Sequence, residues 1–305
     1  MNKRNFTRCP RCGSAMKPAK AFSGANSEFW LECENCNTYV NTYIPQQHQE
    51  QFHADPHRYK GNFGGYGTGK TTTSREEFYK HMLLTENGNT IIGANVMSQY
   101  EQTIKRDIEN DIPADFVKDA SVQKAYTDFK NGHRLMFRPF DDQGKLRSYN
   151  ASMFIIVEAS EVDGEIYAQL KTRLRNMAAT RQKVDAEGNP VFKQTKHGVP
   201  IPEVQADWRE GIIESNPDSG WIRTEVLLAS DSIHKHGNVL DSYNVLEQEQ
   251  DIYTSSHVAA TDVNQFLPEN FIREVSKNKP AWYLLAPVVL VTLLRNEQNR
   301  WKLKC

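Results

Sequence analysis

The chain has almost no charge imbalance: 37 Lys and Arg against 38 Asp and Glu leave a net charge of −1 over 305 residues. A global basic excess is therefore missing, and any contact with nucleic acid must rest on a local patch. Long apolar runs are missing too. The longest, Trp282–Leu294, has about 13 residues, contains Pro287 and is too short to span a bilayer. Residues 1–11 are polar and basic with no apolar core, so no secretory signal is read there. Cysteine is scarce. The five cysteines form two CxxC pairs plus Cys305. That pattern suits reduced, metal-binding thiols better than a disulfide scaffold and points to a cytoplasmic setting. With 38% hydrophobic and 25% charged residues, the composition is that of a soluble protein of one large domain or two smaller ones.

What is present begins with the most informative stretch, Gly64-Gly65-Tyr66-Gly67-Thr68-Gly69-Lys70-Thr71, which matches G-x-x-x-x-G-K-[ST] at every fixed position. Glycines let successive backbone N–H groups turn toward phosphates without a Cβ clash. Lys70 then reaches the β- and γ-phosphates, the Thr71 hydroxyl holds Mg²⁺, and Thr72 continues the helix whose N-terminal end faces the anion. Phe78, Met82 and Leu83 are expected on one side of that helix. The spacing predicts a P-loop for ATP.

Residues 1–44 form a separate expected module. Cys9, Cys12, Cys33 and Cys36 give C-x2-C, a spacer of 20, then C-x2-C, the spacing of a tetrahedral Zn²⁺ ribbon. Phe29-Trp30-Leu31 reads as a short strand between them. So small a module has little core, so the metal supplies most of its folding energy. Six basic residues against three acidic ones suggest nucleic acid or an acidic partner; a purely structural ribbon fits nearly as well.

Pro45–Lys60 is rich in Gln and His, and Gln49, just upstream of the P-loop, is suited to read adenine N6 and N7. His48, His53 and His57 show no metal spacing and are read as surface residues. Thr90–Ala94 reads as a buried strand, and Tyr100, Ile104 and Ile108 as one face of a helix. Tyr126–Phe129 and Arg134–Arg138 flank Asn131-Gly132, a hairpin signal. Ser152–Val157 is a buried central strand ending in Glu158-Ala159-Ser160-Glu161. A carboxylate at such a tip lies where the γ-phosphate and its attacking water meet, so Glu158 is the expected general base, with Glu161 a weaker alternative. Ile166–Asn176 reads as a helix, Arg181–Asp207 as an excursion from the sheet, and Gly211–Glu214 as a strand ending in Ser215-Asn216-Pro217, placed to sense the γ-phosphate. Strands alternating with helices predict an α/β fold with a mainly parallel sheet flanked by helices.

In this order the pieces resemble the ATPase domain of the tailed-bacteriophage terminase large subunit, over roughly residues 45–279. Four stretches carry the resemblance: Gln49–His53, Gly64–Thr71, Ile155–Glu161 and Ser215–Pro217. It implies, respectively, an adenine-contacting glutamine, Walker A, Walker B with its catalytic glutamate, and a coupling motif at Ser215 and Asn216. It further implies double-stranded DNA as the substrate moved, a homo-oligomeric ring on a phage portal, a small terminase subunit as partner, and the host cytoplasm as location.

Three features depart from that pattern. The usual Walker B aspartate is Val157, so Mg²⁺ rests on Thr71, the phosphates and water, or on another acid. The P-loop carries no arginine, so a charge-stabilising one comes from elsewhere, with Arg138, Arg147, Arg173 and Arg175 as candidates. No spaced acidic cluster of a nuclease follows the coupling motif. The organisation expected is a ribbon over 1–44, an ATPase domain over 45–283 and an atypical tail over 284–305, with DNA cleavage left to a nuclease supplied on another chain or by splicing. The rival readings are a helicase-like DNA-dependent ATPase and a zinc-ribbon DNA-binding protein with an inactive P-loop domain.

Overall fold

The computed structural model describes residues 7–259 except 122, 177–179, 183–190, 195–199, 203, 207–208, 217–219, 231, 236–237 and 243–253, together with Asn264 and Leu267. The cysteine-bearing segment forms an antiparallel sheet of β1 (Lys17–Lys20), β2 (Asn26–Cys33) and β3 (Thr38–Asn41). There follow α1 (Gln47–Ala54), β4 (Tyr59–Gly64), α2 (Lys70–Leu84), β5 (Asn89–Ala94) and α3 (Arg106–Asp111). The chain continues with β6 (Val117–Ser121), β7 (Tyr126–Phe129), β8 (Arg134–Pro139), β9 (Met153–Ile156), α4 (Gly164–Arg173), β10 (Glu210–Ser215), β11 (Ser232–Lys235), β12 (Asn238–Ser242) and β13 (Thr254–Ala259).

Strands β4 to β13 make one ten-stranded sheet in the order β12-β11-β13-β4-β10-β9-β5-β8-β7-β6. Every pair from β11 across to β8 is parallel, and antiparallel pairs close both edges. The mainly parallel α/β sheet agrees with the expectation, and so does the β7–β8 hairpin at Asn131-Gly132, where Gly132 has φ +83°. Parallel strands are covered on both faces, which is why β9 is buried throughout. The crossover order sets β10 between the strand before the glycine loop and the strand before Glu158.

The pleat divides β9 and β10 between two apolar layers. Met153, Ile155, Val157 and Ile212 pack with Phe78, Tyr79 and Met82 of α2. Phe154, Ile156 and Ile213 pack with Ile166, Tyr167 and Leu170 of α4. The cysteine-bearing segment sits on the α2 layer. The Asp111 carboxylate accepts from the Ser27 hydroxyl at 2.7 Å and the Phe29 N–H at 2.8 Å. Trp30 meets Tyr79 and Phe116 edge-on, at centroid distances of 5.9 and 5.4 Å, and Arg75 lies over Phe29.

Several local expectations shift. Leu83 is exposed, away from the buried Phe78 and Met82. Tyr100, Ile104 and Ile108 are buried as expected, but the helix breaks at Thr103, whose backbone leaves the helical region. Thr180–Gln182 pairs with Val204–Ala206 and with Thr85–Glu86, apart from the main sheet. Among the described residues no helix is long and apolar enough to cross a membrane. Pro217 and the tail over 284–305 lie outside the described residues.

Candidate functional site

The glycine loop joins the end of β4 to α2. Gly69 has φ +88°, and a Cβ there would lie 2.8 Å from Gln49 Nε2. A Cβ on Gly64 would lie 2.6 Å from the Thr68 hydroxyl and 2.8 Å from the Ala259 carbonyl. Both positions therefore need glycine for the loop to close. The Lys70 ammonium donates to the carbonyls of Gly64 (2.9 Å) and Gly65 (3.1 Å). Thr68 braces the loop by donating to Gly65 O, while Tyr66 and Gly67 are exposed at its tip.

Two further strand tips meet this loop. From β10, Asn216 Oδ1 accepts from Lys70 at 3.3 Å, and the Ser215 hydroxyl accepts the Ser160 N–H at 3.1 Å. Ser215 and Asn216 thus bridge the loop lysine and the turn after β9. Glu158, in that turn, has φ +49°, a left-handed conformation unusual for a residue with a side chain. Burial pushes the Lys70 pKa down, and the charges of Glu214 and Glu158 act against that. Glu161 is exposed and accepts from Gln99. The two carboxylates of the acidic turn therefore differ: the charge of Glu158 bears on Lys70, whereas Glu161 is exposed and engaged by Gln99.

Thr71, the expected Mg²⁺ residue, donates its hydroxyl proton to Glu214 Oε1 at 2.7 Å. Thr72 is half-buried beside it. Glu214 has no place in the sequence motifs, although an acid that ends the apolar run Gly211-Ile212-Ile213 is a signal in itself. It is 1% exposed, its Oε2 has no hydrogen-bond partner, and burial raises its pKa against the pull of Thr71, Lys70 and Ser74.

Gln49 is buried with both ends of its carboxamide engaged. Oε1 accepts the Gln46 N–H at 2.9 Å, and Nε2 donates to Thr73 at 3.0 Å and to Gly69 O at 3.4 Å. Adenine contact requires these bonds to open. The histidines read as surface residues are not all so. His53 contacts Glu77 at 2.5 Å, and His57 contacts the buried Asp55, which also accepts from Ser255 and pairs with His257.

The four arginines considered for charge stabilisation are placed elsewhere or engaged. Arg138 donates to Tyr149 and to the carbonyls of Lys124, Ala125 and Phe137. Arg173 donates to Arg147 O, and its own carbonyl accepts from Ala151 N–H, just before β9 and thus at the opposite end of that strand from Glu158. Arg175 follows Arg173 there, and Arg147 and Arg175 are exposed.

The sulfur atoms of Cys9, Cys12, Cys33 and Cys36 all lie within 4.8 Å of one another, with Cys9–Cys36 and Cys12–Cys33 at 3.5 Å. Tetrahedral ligation at about 2.3 Å sets sulfurs about 3.8 Å apart, so the four thiols fit one zinc ion.

Residues 56–197 match the phage terminase large subunit family. No curated protein matches the chain. Among solved structures, the large terminase of a thermophilic bacteriophage aligns at a TM-score of 0.53 and 11% identity, covering 79% of this chain and 52% of that one. The same terminase in complex with ADP aligns at 0.51 and 12%, covering 78% and 50%. At such identities the likeness is one of fold. The chain spans about half the length of that terminase.

Proposed function

We propose that this chain is the ATP-hydrolysing part of a phage DNA-packaging motor of the terminase large subunit type. The supporting observation is convergence: Glu158 and Asn216, from the tips of two adjacent strands, both act on Lys70 of a glycine-rich loop. Lys70 turns from the loop carbonyls to the β- and γ-phosphates when ATP enters, and the N-terminal end of α2 adds its positive dipole. Glu158 accepts a proton from the attacking water, so that the nucleophile forms in line with the γ-phosphate. Asn216 loses or gains its bond to Lys70 with the state of the nucleotide, and Ser215 passes that change to the turn after β9. Magnesium, when bound with ATP, supplies charge neutralisation on the phosphates, and Thr71 is a residue that would hold it. Gly64–Thr72 form the nucleotide cradle. Gln49 braces that cradle from below in the present state and is the residue nearest the role of adenine reader. Cys9, Cys12, Cys33 and Cys36 hold Zn²⁺, and the ribbon so formed rests on α2.

Duplex DNA as the substrate moved, a ring of copies at the phage portal, a small terminase subunit and a host-cytoplasmic setting belong to the same reading. Glu158→Gln tests it. Mg²⁺-dependent ATP turnover should fall about 10²-fold or more while nucleotide binding is retained; a variant that hydrolyses ATP at the parent rate refutes the assignment. Stimulation of turnover by intact duplex without strand separation distinguishes a packaging motor from a helicase. The apolar Val157 favours one rival, a DNA-binding protein with an inert P-loop, and absence of any basal turnover in the parent would establish it.

A further inference from the structure

Val157, at the position of the missing acid, is 2% exposed and belongs to the apolar layer with Met153 and Ile155. No charge reaches the site from there. The neighbouring strand carries one instead. Glu214 is two residues from Ile212, so the pleat turns it to the face that packs on α2, the side from which Thr71 approaches. Its Oε1 receives the Thr71 proton at 2.7 Å. A threonine that donates its only hydroxyl proton to a carboxylate keeps its oxygen lone pairs for a cation. The other carboxylate oxygen, Oε2, is buried with no hydrogen-bond partner. Lys70 and Ser74 also draw on this carboxylate, but Oε2 itself makes no hydrogen bond, and a divalent cation is the partner that chemistry supplies beside a P-loop threonine.

We propose that Glu214 is the carboxylate that positions the magnesium of bound ATP, from β10, in place of an acid at Val157. It acts through Thr71, by fixing the direction of the hydroxyl lone pairs, and through its own Oε2, directly or across one water. The proposal rests on the ATPase reading above and specifies how that site works without the usual acid. It differs from a purely structural clasp between α2 and β10, because a clasp needs only one hydrogen bond and not a charge.

Glu214→Gln separates the two, since an amide oxygen still accepts from Thr71 while the charge is lost. The readout is binding of a fluorescent, slowly hydrolysed ATP analogue to the full chain as Mg²⁺ is raised from a chelated start. The expected result is unchanged affinity in chelator and a half-maximal Mg²⁺ concentration raised about tenfold or more, the scale seen when groups that orient metal ligands are removed. Val157→Asp combined with Glu214→Gln should recover part of the response by returning an acid to β9. If Glu214→Gln does not fold, Glu214→Asp, which keeps the charge but shortens its reach, should shift the half-maximal Mg²⁺ a few-fold. A parent-like Mg²⁺ response in Glu214→Gln, or in Glu214→Asp if that is the folded variant, overturns the proposal. A parent chain that binds no nucleotide at any Mg²⁺ concentration refutes the ATPase reading itself, and this role with it.

Discussion

Lys60 offers the sharpest test of how the site is held in place. It lies on β4, 1% exposed, four residues before Gly64, with Nζ 2.6 Å from Glu77 Oε1 and 3.3 Å from Glu210 Oε2. Glu77 lies on α2 and Glu210 opens β10, so one ammonium ties the strand before the glycine loop to the helix after it and to the strand carrying Glu214. Burial alone would drive the Lys60 pKa down, yet the two acids hold it above the ordinary lysine range. Lys60→Met keeps most of the volume and removes the charge. Glu77 retains Lys80 at 2.9 Å and His53 at 2.5 Å, whereas Glu210 is left with His81 at 2.9 Å. The main penalty therefore falls on Glu210. Breaking a buried pair costs about 3–5 kcal/mol, and the retained partners of Glu77 set the expectation near the lower end. In the parent, Lys60 helps hold the Glu210 pKa below its ordinary value. Without Lys60, the buried Glu210 carboxylate is relieved only by taking up a proton itself, so the deficit should be largest at pH 8 and shrink toward pH 5.5. Urea unfolding of parent and variant, followed by tryptophan fluorescence across that range, measures it. A deficit below about 1 kcal/mol at pH 8, or one that grows on acidification, would show that the network is not an ionic tie.

Three other outcomes are expected. Purified protein should contain about one Zn²⁺ per chain. Because β2 packs on α2, a strong chelator should lower the melting temperature of the α/β domain and change Trp30 fluorescence, and full zinc occupancy in a Cys9/Cys12 double serine variant would refute the four-thiol assignment. Asn216→Ala should retain part of the ATP turnover but lose DNA movement in a packaging assay; proportional loss of both would reduce Asn216 to a catalytic or structural part. His133 is fully buried, and its pKa is pushed down to about 3, first by burial and then by His81. Its contribution is complete above the unfolded value near 6.5 and is lost as pH falls, by about 1.4 kcal/mol per unit. Comparing urea midpoints of parent and His133→Asn should therefore show a gap at pH 7 that narrows at pH 5. Glu76, whose pKa burial raises to about 7, acts in the opposite sense but is common to both proteins. A constant gap would refute the assignment.

What the amino-acid sequence determined alone was local chemistry. The glycine loop is legible because its conformation depends on φ and Cβ at consecutive residues. The strand before Glu158 and the hairpin at Asn131-Gly132 are legible because side-chain period and turn type are short-range properties. The paired cysteines are legible because each CxxC is a local knuckle. The tertiary structure decided which distant residues share a site. Sequence order does not reveal that β10 lies between β4 and β9, and it is that crossover which sets Glu214 against Thr71 and Asn216 against Lys70. The same holds for Lys60 between two acids and for Asp111 gripping β2. Each unites residues from separate elements, and such pairings are selected by burial, where an unpaired polar group is costly, rather than by any periodicity in the chain.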